Sequence, residues 1–203
     1  MGQVELQPAY LTPAEYFALE AQSLERHEYF DGELFMMAGA SKRHNSIANN
    51  ALVLSLAGVR ARGCQAFTSD VRVAVQEGRH YTYPDLVISC DPDDQRDDYL
   101  IRHPVLIVEV TSPGTERYDH NEKFQQYQRL ESLRHYVLIS QSRWFVNWFR
   151  RTEANEWVLT QCSGPDGILE ISDLDLRWPL ADLYQATGVP PLWVGPLPEE
   201  ETR

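Results

Sequence analysis

Two apolar segments decide the fold, and they read YPDLVISC (residues 83–90) and PVLIVEV (residues 104–110). Runs rich in Val and Ile are typical of β-strands that are covered on both faces. Each segment carries one carboxylate, Asp85 in the first and Glu109 in the second. Because an unpaired charge is costly in an apolar strand, we expect each carboxylate to be protonated, paired or bound to a cation.

Alternation along the second segment predicts which side chains share a face. Residues two apart on a strand point the same way, so Ile107, Glu109 and Thr111 should face one side of the sheet. If the two strands are neighbours, Asp85 and Glu109 can converge on one ion. Magnesium is usually held by one or two carboxylates together with water and substrate phosphate oxygens. Such an ion activates water for attack at phosphorus, so the pattern indicates a metal-dependent phosphodiesterase.

The order of these motifs resembles the PD-(D/E)XK nuclease superfamily, and the longer context resembles its Uma-type family of bacterial restriction-endonuclease-like proteins. The resemblance covers roughly residues 11–183 and rests on YFDGELFMMAGAS, TSDVRVAV, YPDLVI, VEVTSPGTERYD and a helix carrying Lys123 and Tyr127. It implies a restriction-endonuclease-like αβββαβ core between about Lys42 and Ser140. The expected class is α/β, or α+β, with a mixed central sheet flanked by helices and with additional β-hairpins.

The resemblance also implies roles for individual residues. Asp85 and Glu109 would hold Mg²⁺ or Mn²⁺, and the carbonyl of Val110 would complete the coordination. The position where the superfamily has its lysine is Thr111 here. In the Uma-type pattern the lysine is moved to the following helix, where Lys123 fits. There it would orient water and stabilise the charge on the phosphorane.

Three further residues are weaker catalytic candidates. Glu33 follows the Asp31-Gly32 turn and is either a third ligand or base, or a solvent-facing residue. Asp70 lies on the polar face of a predicted strand, where an aspartate needs no function. His44, on the first turn of a predicted helix, is either a surface histidine or a group that contacts phosphate or orients water.

The main candidates have structural alternatives as well. Asp85 alone could be a turn or capping aspartate at the start of a strand. Glu109 could form a buried ion pair with an arginine, and Lys123 could be a solvated helix lysine. The combination of all three in the family order favours the metal site.

Composition favours a single domain. The 203 residues are 43% hydrophobic and 24% charged, with no long linker, and an irregular acidic tail is expected over about 190–203. The start of the chain lacks a signal-peptide pattern and no run reaches the length of a membrane span, which predicts a cytoplasmic protein with no membrane partner. Cys64, Cys90 and Cys162 are widely spaced, so we expect three reduced structural cysteines and no zinc site.

The formal net charge of −12 argues against a general nucleic-acid binder, because phosphate contacts normally come from a basic surface. Any contact with nucleic acid should therefore use a local patch. The candidates for this patch are Lys42, Arg43, Arg60 and Arg62.

Two functions remain open. The first is a Mg²⁺-dependent endonuclease, a hydrolase that cleaves phosphodiester bonds of nucleic acid, which we expect to be DNA. The alternative is a non-catalytic, nuclease-like module that binds nucleic acid or protein, which is consistent with the acidity and with Thr111. Exposed edges and apolar surface could also support a homodimer, although tryptophans are more often part of the core; the candidates are Trp144, Trp148, Trp157 and Trp193.

Periodicity and capping signals predict the remaining elements. A capping box at Thr12 with proline next to it begins the first helix, and Asp31-Gly32 is a hairpin signal. The predicted helices are residues 13–22, 42–61, 121–131 and 180–185, and the predicted strands outside the two central segments are 28–30, 33–38, 65–76, 135–140, 145–151 and 157–162.

Overall fold

The computed structural model describes residues 10–37 and 39–191. Ala38 and the greater part of the predicted acidic tail, including Trp193, lie outside the described residues. The α-helices are α1 (Pro13–Glu20), α2 (Lys42–Ala61), α3 (Glu116–Tyr118), α4 (Phe124–Tyr127) and α5 (Leu180–Leu183). The strands are β1 (His27–Phe30), β2 (Glu33–Met36), β3 (Gln65–Thr68), β4 (Arg72–Gln76), β5 (His80–Thr82), β6 (Leu86–Ser89), β7 (Leu100–Ile101), β8 (Pro104–Thr111), β9 (His135–Ser140), β10 (Phe145–Arg151), β11 (Trp157–Ser163), β12 (Ile168–Ile171) and β13 (Leu176–Pro179). No helix in the described ranges combines the length and apolar character needed to cross a lipid bilayer.

The strands form three sheets. The largest is a mixed six-stranded sheet with the order β11-β10-β9-β8-β6-β3, in which only β8 and β9 run parallel. A five-stranded sheet has the order β2-β1-β5-β4-β7, and β12 pairs with β13. This arrangement agrees with the predicted mixed sheet, helices and additional hairpins.

The αβββαβ core consists of α2, β3, β6, β8, the helical segment after β8, and β9. Antiparallel pairing joins β3 to β6 and β6 to β8, whereas β9 returns parallel to β8. A parallel return needs a crossover connection, and α3 and α4 supply it. The chain between β3 and β6 forms β4 and β5, which leave this sheet and join the five-stranded one.

The prediction of one strand over residues 65–76 is wrong, because this segment forms two strands in different sheets. The break includes Ser69, whose φ of 23° is uncommon for a residue other than glycine. The apolar alternation nevertheless continues across the break, since Phe67 and Val73 pack in the same hydrophobic cluster. The apolar alternation therefore showed that residues of β3 and β4 face the same hydrophobic cluster, but not that they belong to one strand.

Helix α2 has the predicted bounds and places its first turn beside β8. The hydroxyl of Ser41 accepts a hydrogen bond from the His44 N–H at 3.2 Å, which begins the helix. Near its other end, Gly58 allows close packing, because a Cβ there would clash with the carbonyl of Asp175. One face of α2 covers the main hydrophobic cluster on the six-stranded sheet.

The helix predicted over residues 121–131 begins earlier, ends at Tyr127 and contains a π-helical turn. This turn spans Asp119–Lys123, between α3 and α4. π-Turns inside helices are frequent at functional sites, because they redirect the side chains that follow. Tyr127 is fully buried against the sheet, as the predicted apolar stripe requires.

Cys64 and Cys90 form a disulfide, so the prediction of three reduced cysteines is wrong for this pair. The cause is the strand register. Gln65 pairs with Ser89 across β3 and β6, so the next residues outward are Cys64 and Cys90. A separation of 26 residues in sequence does not reveal this proximity. Cys162 has a free thiol.

Candidate active site

The register of β6 and β8 brings Asp85 and Glu109 together. Leu86 lies opposite Val108 in this antiparallel pair, so the next pair outward is Asp85 and Glu109. Side chains opposite one another in such a pair have Cβ atoms about 4.5–5.5 Å apart. Asp85 Oδ2 also accepts a hydrogen bond from the Val110 N–H at 2.7 Å. The two carboxylates and the Val110 backbone therefore lie at one position of the sheet.

Lys123 reaches the same position from the helical segment above the sheet. Its Nζ lies 3.1 Å from Glu109 Oε1 and 3.3 Å from Glu28 Oε1, and its side chain is only 13% exposed. Tyr127, one turn further along, donates to the same oxygen of Glu109 at 2.8 Å. Two donors from one helical segment thus hold the Glu109 carboxylate.

The electrostatics of this cluster favour an additional cation. Burial raises the pKa of Glu109 to about 8; Lys123 opposes this shift, whereas Asp85, Asp119 and Glu28 add to it. Burial disfavours the Lys123 ammonium, but Glu109 and Glu28 outweigh that effect and raise its pKa. Burial also raises the pKa of Asp119. One ammonium therefore faces an excess of desolvated carboxyl groups, which a bound cation would stabilise in their charged form.

His44 contacts Asp85 from the first turn of α2. Its Nε2 lies 3.1 Å from Asp85 Oδ2. Burial lowers the pKa of His44, but the hydrogen bond and charge of Asp85 outweigh burial, so the net pKa is raised. The imidazolium form is thus favoured beside the carboxylate pair.

These groups line a cleft of about 640 Å³. The predicted residues Asp85, Glu109, Val110, Lys123 and His44 all contribute to its wall. Sequence reasoning missed further lining residues that the structure adds, and those used below are Glu28, Tyr83, Tyr118, Asp119 and Gln141. The tyrosine–aspartate pair that ends the VEVTSPGTERYD motif was the available signal for Tyr118 and Asp119.

Glu33 does not line the cleft, and Glu28 lies there instead. In the β1–β2 hairpin Glu28 is opposite Phe35, whereas Glu33 is opposite Phe30 beside the turn. Glu33 is exposed and accepts a hydrogen bond from the Tyr10 hydroxyl at 3.3 Å. The carboxylate that this hairpin contributes to the cleft is therefore Glu28 and not Glu33. Glu28 lies two residue pairs further from the turn.

Asp70 also lies outside the cleft. Its side chain is 82% exposed and lies 3.5 Å from the guanidinium of Arg26. It follows the break at Ser69 and so is not held in a continuous strand. The structure gives Asp70 no contact with the carboxylate pair.

The predicted basic patch is divided between the two ends of α2. Lys42 and Arg43 lie on the first turn, next to the cleft, whereas Arg60 and Arg62 lie at the last turn and just beyond it. A rise of 1.5 Å per residue separates Arg43 from Arg60 by roughly 26 Å along the axis. The four residues therefore do not form one local surface.

The oxygen atoms of the cleft would suit magnesium better than a metal whose whole coordination shell comes from protein side chains. Within the described ranges, no three His, Cys, Asp or Glu side chains converge as such a metal centre requires. Asp85 and Glu109, with the Val110 carbonyl, match instead the sparse carboxylate set with which Mg²⁺ is held when substrate oxygens complete its shell. Manganese takes similar oxygen ligands.

The αβββαβ core with carboxylates on adjacent central strands is the architecture of restriction-endonuclease-like proteins. The chain belongs to the Uma2 family, described as "Putative restriction endonuclease", whose family model matches residues 13–181. This match confirms the family predicted from the sequence motifs.

One solved structure and two uncharacterized proteins are similar to this chain. The fold is similar to the crystal structure of a "putative nuclease belonging to DUF820" from Anabaena variabilis, with a TM-score of 0.70 at 17% identity over 86% of this chain and 97% of that chain. This likeness confirms the predicted fold class. Two uncharacterized proteins of Synechocystis sp., slr1290 and sll1609, are 31% and 32% identical to this chain. These matches cover 86% and 80% of this chain and 92% and 93% of the relatives.

Proposed function

We propose that this protein is a divalent-metal-dependent endonuclease that hydrolyses phosphodiester bonds of DNA. Asp85, Glu109 and the Val110 carbonyl are the proposed ligands of Mg²⁺ or Mn²⁺. The observation that carries the proposal is the position of the Lys123 ammonium, 3.1 Å from Glu109, beside a carboxylate pair in a cleft. A structural ion pair alone would not need the second carboxylate, Asp85.

Each residue has a distinct task in this proposal. The bound ion would lower the pKa of its water ligand and withdraw charge from a phosphate oxygen. Lys123 supplies positive charge where negative charge develops on the phosphorane, and Tyr127 fixes the Glu109 carboxylate that faces it. Glu28 also holds the Lys123 ammonium, with its Oε1 3.3 Å from Nζ. His44, in its protonated form, is placed to bind a phosphate oxygen next to Asp85.

The alternative is a nuclease-like module that binds nucleic acid or protein without cleaving it. The net charge of −12 favours the form of this alternative that binds protein, because a strongly acidic chain repels phosphate. The arrangement of Lys123 favours catalysis, since it restores the cation that Thr111 lacks. Homodimerisation remains a prediction, and the proposed mechanism does not depend on it. The described tryptophans Trp144, Trp148 and Trp157 are half-buried and pack against the hydrophobic clusters, so the expectation that they are exposed is wrong.

Cleavage assays with Mg²⁺, Mn²⁺ or EDTA test the proposal on DNA, with RNA as a comparison. Asp85→Asn should reduce the cleavage rate by roughly a hundredfold or more, as for other losses of transition-state stabilisation. The matched control is Glu33→Gln, which removes one carboxylate charge outside the cleft and should leave the rate unchanged.

Thermal unfolding provides a readout that is independent of activity. Mg²⁺ should raise the Tm of the wild type and of Glu33→Gln by mass action, but not that of Asp85→Asn. A wild type that cleaves no nucleic acid with either metal would favour the binding module. Equal rates in the wild type and Asp85→Asn would contradict the assigned site.

A further inference from the structure

Two smaller pockets share lining residues with the candidate active cleft. A pocket of about 510 Å³ shares Ser41 and Gln141 with the cleft. A second pocket, of about 390 Å³, shares Tyr83 with it. We call these the lysine pocket and the tyrosine pocket. The shared residues place each pocket next to the cleft, and the three together make up the candidate path.

The lysine pocket is cationic. Lys42 and Arg43, both exposed on the first turn of α2, line it. The free N–H groups at the start of a long helix add partial positive charge at the same place. The Ser41 hydroxyl donates to Gln141 at 2.7 Å, which ties this helix start to the turn after β9. This end of the path suits a phosphate backbone.

The tyrosine pocket offers an aromatic surface with nearly balanced charge. Tyr99 lines it with 70% of its surface exposed, and its backbone carbonyl accepts a hydrogen bond from the Arg72 N–H. Glu20 and Asp70 also line this pocket. Glu20 accepts hydrogen bonds from Tyr83 and His27, whereas Asp70 lies near Arg26. This end suits a stacked base better than a run of phosphates.

We propose that the cleft and both pockets bind one continuous single strand of nucleic acid, which passes Lys42 and Arg43 at one end and Tyr99 at the other. The proposal rests on the proposed function, which supplies the chemical class of the ligand. Proteins that bind single strands combine a narrow positive groove with aromatic side chains on which bases stack. Tyr118, which is 46% exposed in the cleft between the two pockets, adds a second aromatic surface.

A duplex fits these observations less well. Its two strands together carry one negative charge per about 1.7 Å of helix axis, so it needs cations over a broad face. The chain has a net charge of −12, and Arg60 and Arg62 lie at the far end of α2. Because the path extends beyond the cleft at both ends, the bound nucleic-acid strand does not need a free end in the cleft. Circular single-stranded DNA should therefore be bound and cut.

Fluorescence anisotropy measures binding in EDTA, where metal-dependent cleavage is blocked, with a labelled single strand and the duplex of the same sequence. The double variant Lys42→Glu/Arg43→Glu should raise the Kd of the single strand at least tenfold. Removing two phosphate contacts should also make the association constant less sensitive to salt. The plot of its logarithm against the logarithm of the salt concentration should become shallower by roughly 1.4. The matched control is Arg60→Glu/Arg62→Glu, which changes the same charge far from the path and should leave both quantities unchanged.

Tyr99 tests the other end of the path. Loss of a stacked base costs about 1–3 kcal/mol, so Tyr99→Ala should raise the Kd at least fivefold. Tyr99→Phe keeps the aromatic face and should bind as the wild type does. Because Tyr99 is exposed, neither substitution should disturb the fold.

Several results would overturn this inference: no binding of the single strand in EDTA, duplex binding of equal affinity, or equal losses from the two double charge reversals. Equal affinities of Tyr99→Ala and the wild type would also overturn it. If metal-dependent cleavage is nevertheless observed, the endonuclease proposal stands and only the path is wrong. If the single strand binds as described but no metal supports cleavage, the path stands and the endonuclease proposal fails.

Discussion

Replacing Glu109 with glutamine should make the metal-free protein more stable at alkaline pH, although it removes a proposed metal ligand. Glu109 is 5% exposed, and burial raises its pKa to about 8. In the unfolded chain the same carboxyl has an ordinary pKa near 4.5. A group whose pKa is raised on folding stabilises the fold only at low pH. Its contribution is complete below about pH 4.5 and is lost as the pH rises through about 8.

The size of this loss follows from the two pKa values. Each unit of difference corresponds to about 1.4 kcal/mol, so ionisation of Glu109 weakens the metal-free fold by up to roughly 5 kcal/mol above pH 8. Glutamine carries no charge and avoids this loss. It also leaves the Lys123 ammonium with Glu28 as its remaining carboxylate partner, which offsets part of the gain. Because removing one partner of a buried pair costs about 3–5 kcal/mol, we expect a net gain of up to about 2 kcal/mol at pH 8.5.

Urea unfolding in EDTA at pH 5 and pH 8.5 measures this effect. The free energy of unfolding of Glu109→Gln should exceed that of the wild type at pH 8.5, and the difference should shrink at pH 5. Asp70→Asn, at a carboxylate that is 82% exposed, is the control and should give little difference at either pH. Mg²⁺ should raise the stability of the wild type and of Asp70→Asn, but not that of Glu109→Gln. A lower stability of Glu109→Gln at pH 8.5 would refute the reasoning, because it would mean that the ionised pair with Lys123 stabilises the metal-free fold.

Four further predictions concern other parts of the chain. Burial lowers the pKa of His80 to about 4. The free energy of unfolding should therefore fall by roughly 3 kcal/mol as the pH falls from 6.5 to 4. His80→Gln should reduce this fall, as measured by urea unfolding. Gly58→Ala should lower the free energy of unfolding by about 1–3 kcal/mol in the same assay, because the added Cβ would clash with the backbone carbonyl of Asp175. Reducing the Cys64–Cys90 disulfide should lower the free energy of unfolding by about 3 kcal/mol. Before reduction, the denatured chain should show one free thiol by titration. Lys123→Met should abolish cleavage while Mg²⁺ still raises the Tm.

The sequence predicted the two central strands and their carboxylates because strong local signals coincide there. A continuous apolar run indicates a covered strand, and a charge inside it must be compensated. Helix α2 was predicted with its observed bounds, because Ser41 caps its start and Gly63 follows its end. The turn at Asp31-Gly32 was also predicted, since both residues adopt the positive φ that a two-residue turn requires, although β2 ends at Met36 and not at the predicted residue 38. In each case residues close in sequence determine the structure.

The contacts that were missed depend on register or on packing between distant elements. The Cys64–Cys90 bond follows from the pairing of β3 with β6, which neither cysteine signals by itself. Glu28 looks like an ordinary residue of a short strand, and only the packing of that hairpin against the π-helical turn brings it to Lys123. The break at Ser69 was hidden because both strands bury apolar residues in one cluster.

The position of Lys123 shows that a site motif is defined by where its side chains lie in the fold and not by their order along the chain. Thr111 and Glu109 alternate onto the same face of β8, so a lysine at 111 would approach the carboxylate along the strand. Lys123 belongs to a segment that packs over that face, and its Nζ reaches Glu109 from above. The π-helical turn ends at Lys123, and Glu28 on the neighbouring hairpin holds the ammonium in place. A catalytic cation needs a defined position relative to the carboxylates and the phosphate, and either element can supply it. Loss of lysine from position 111 is therefore compatible with a complete site, provided that the helix and the β1–β2 hairpin are both present.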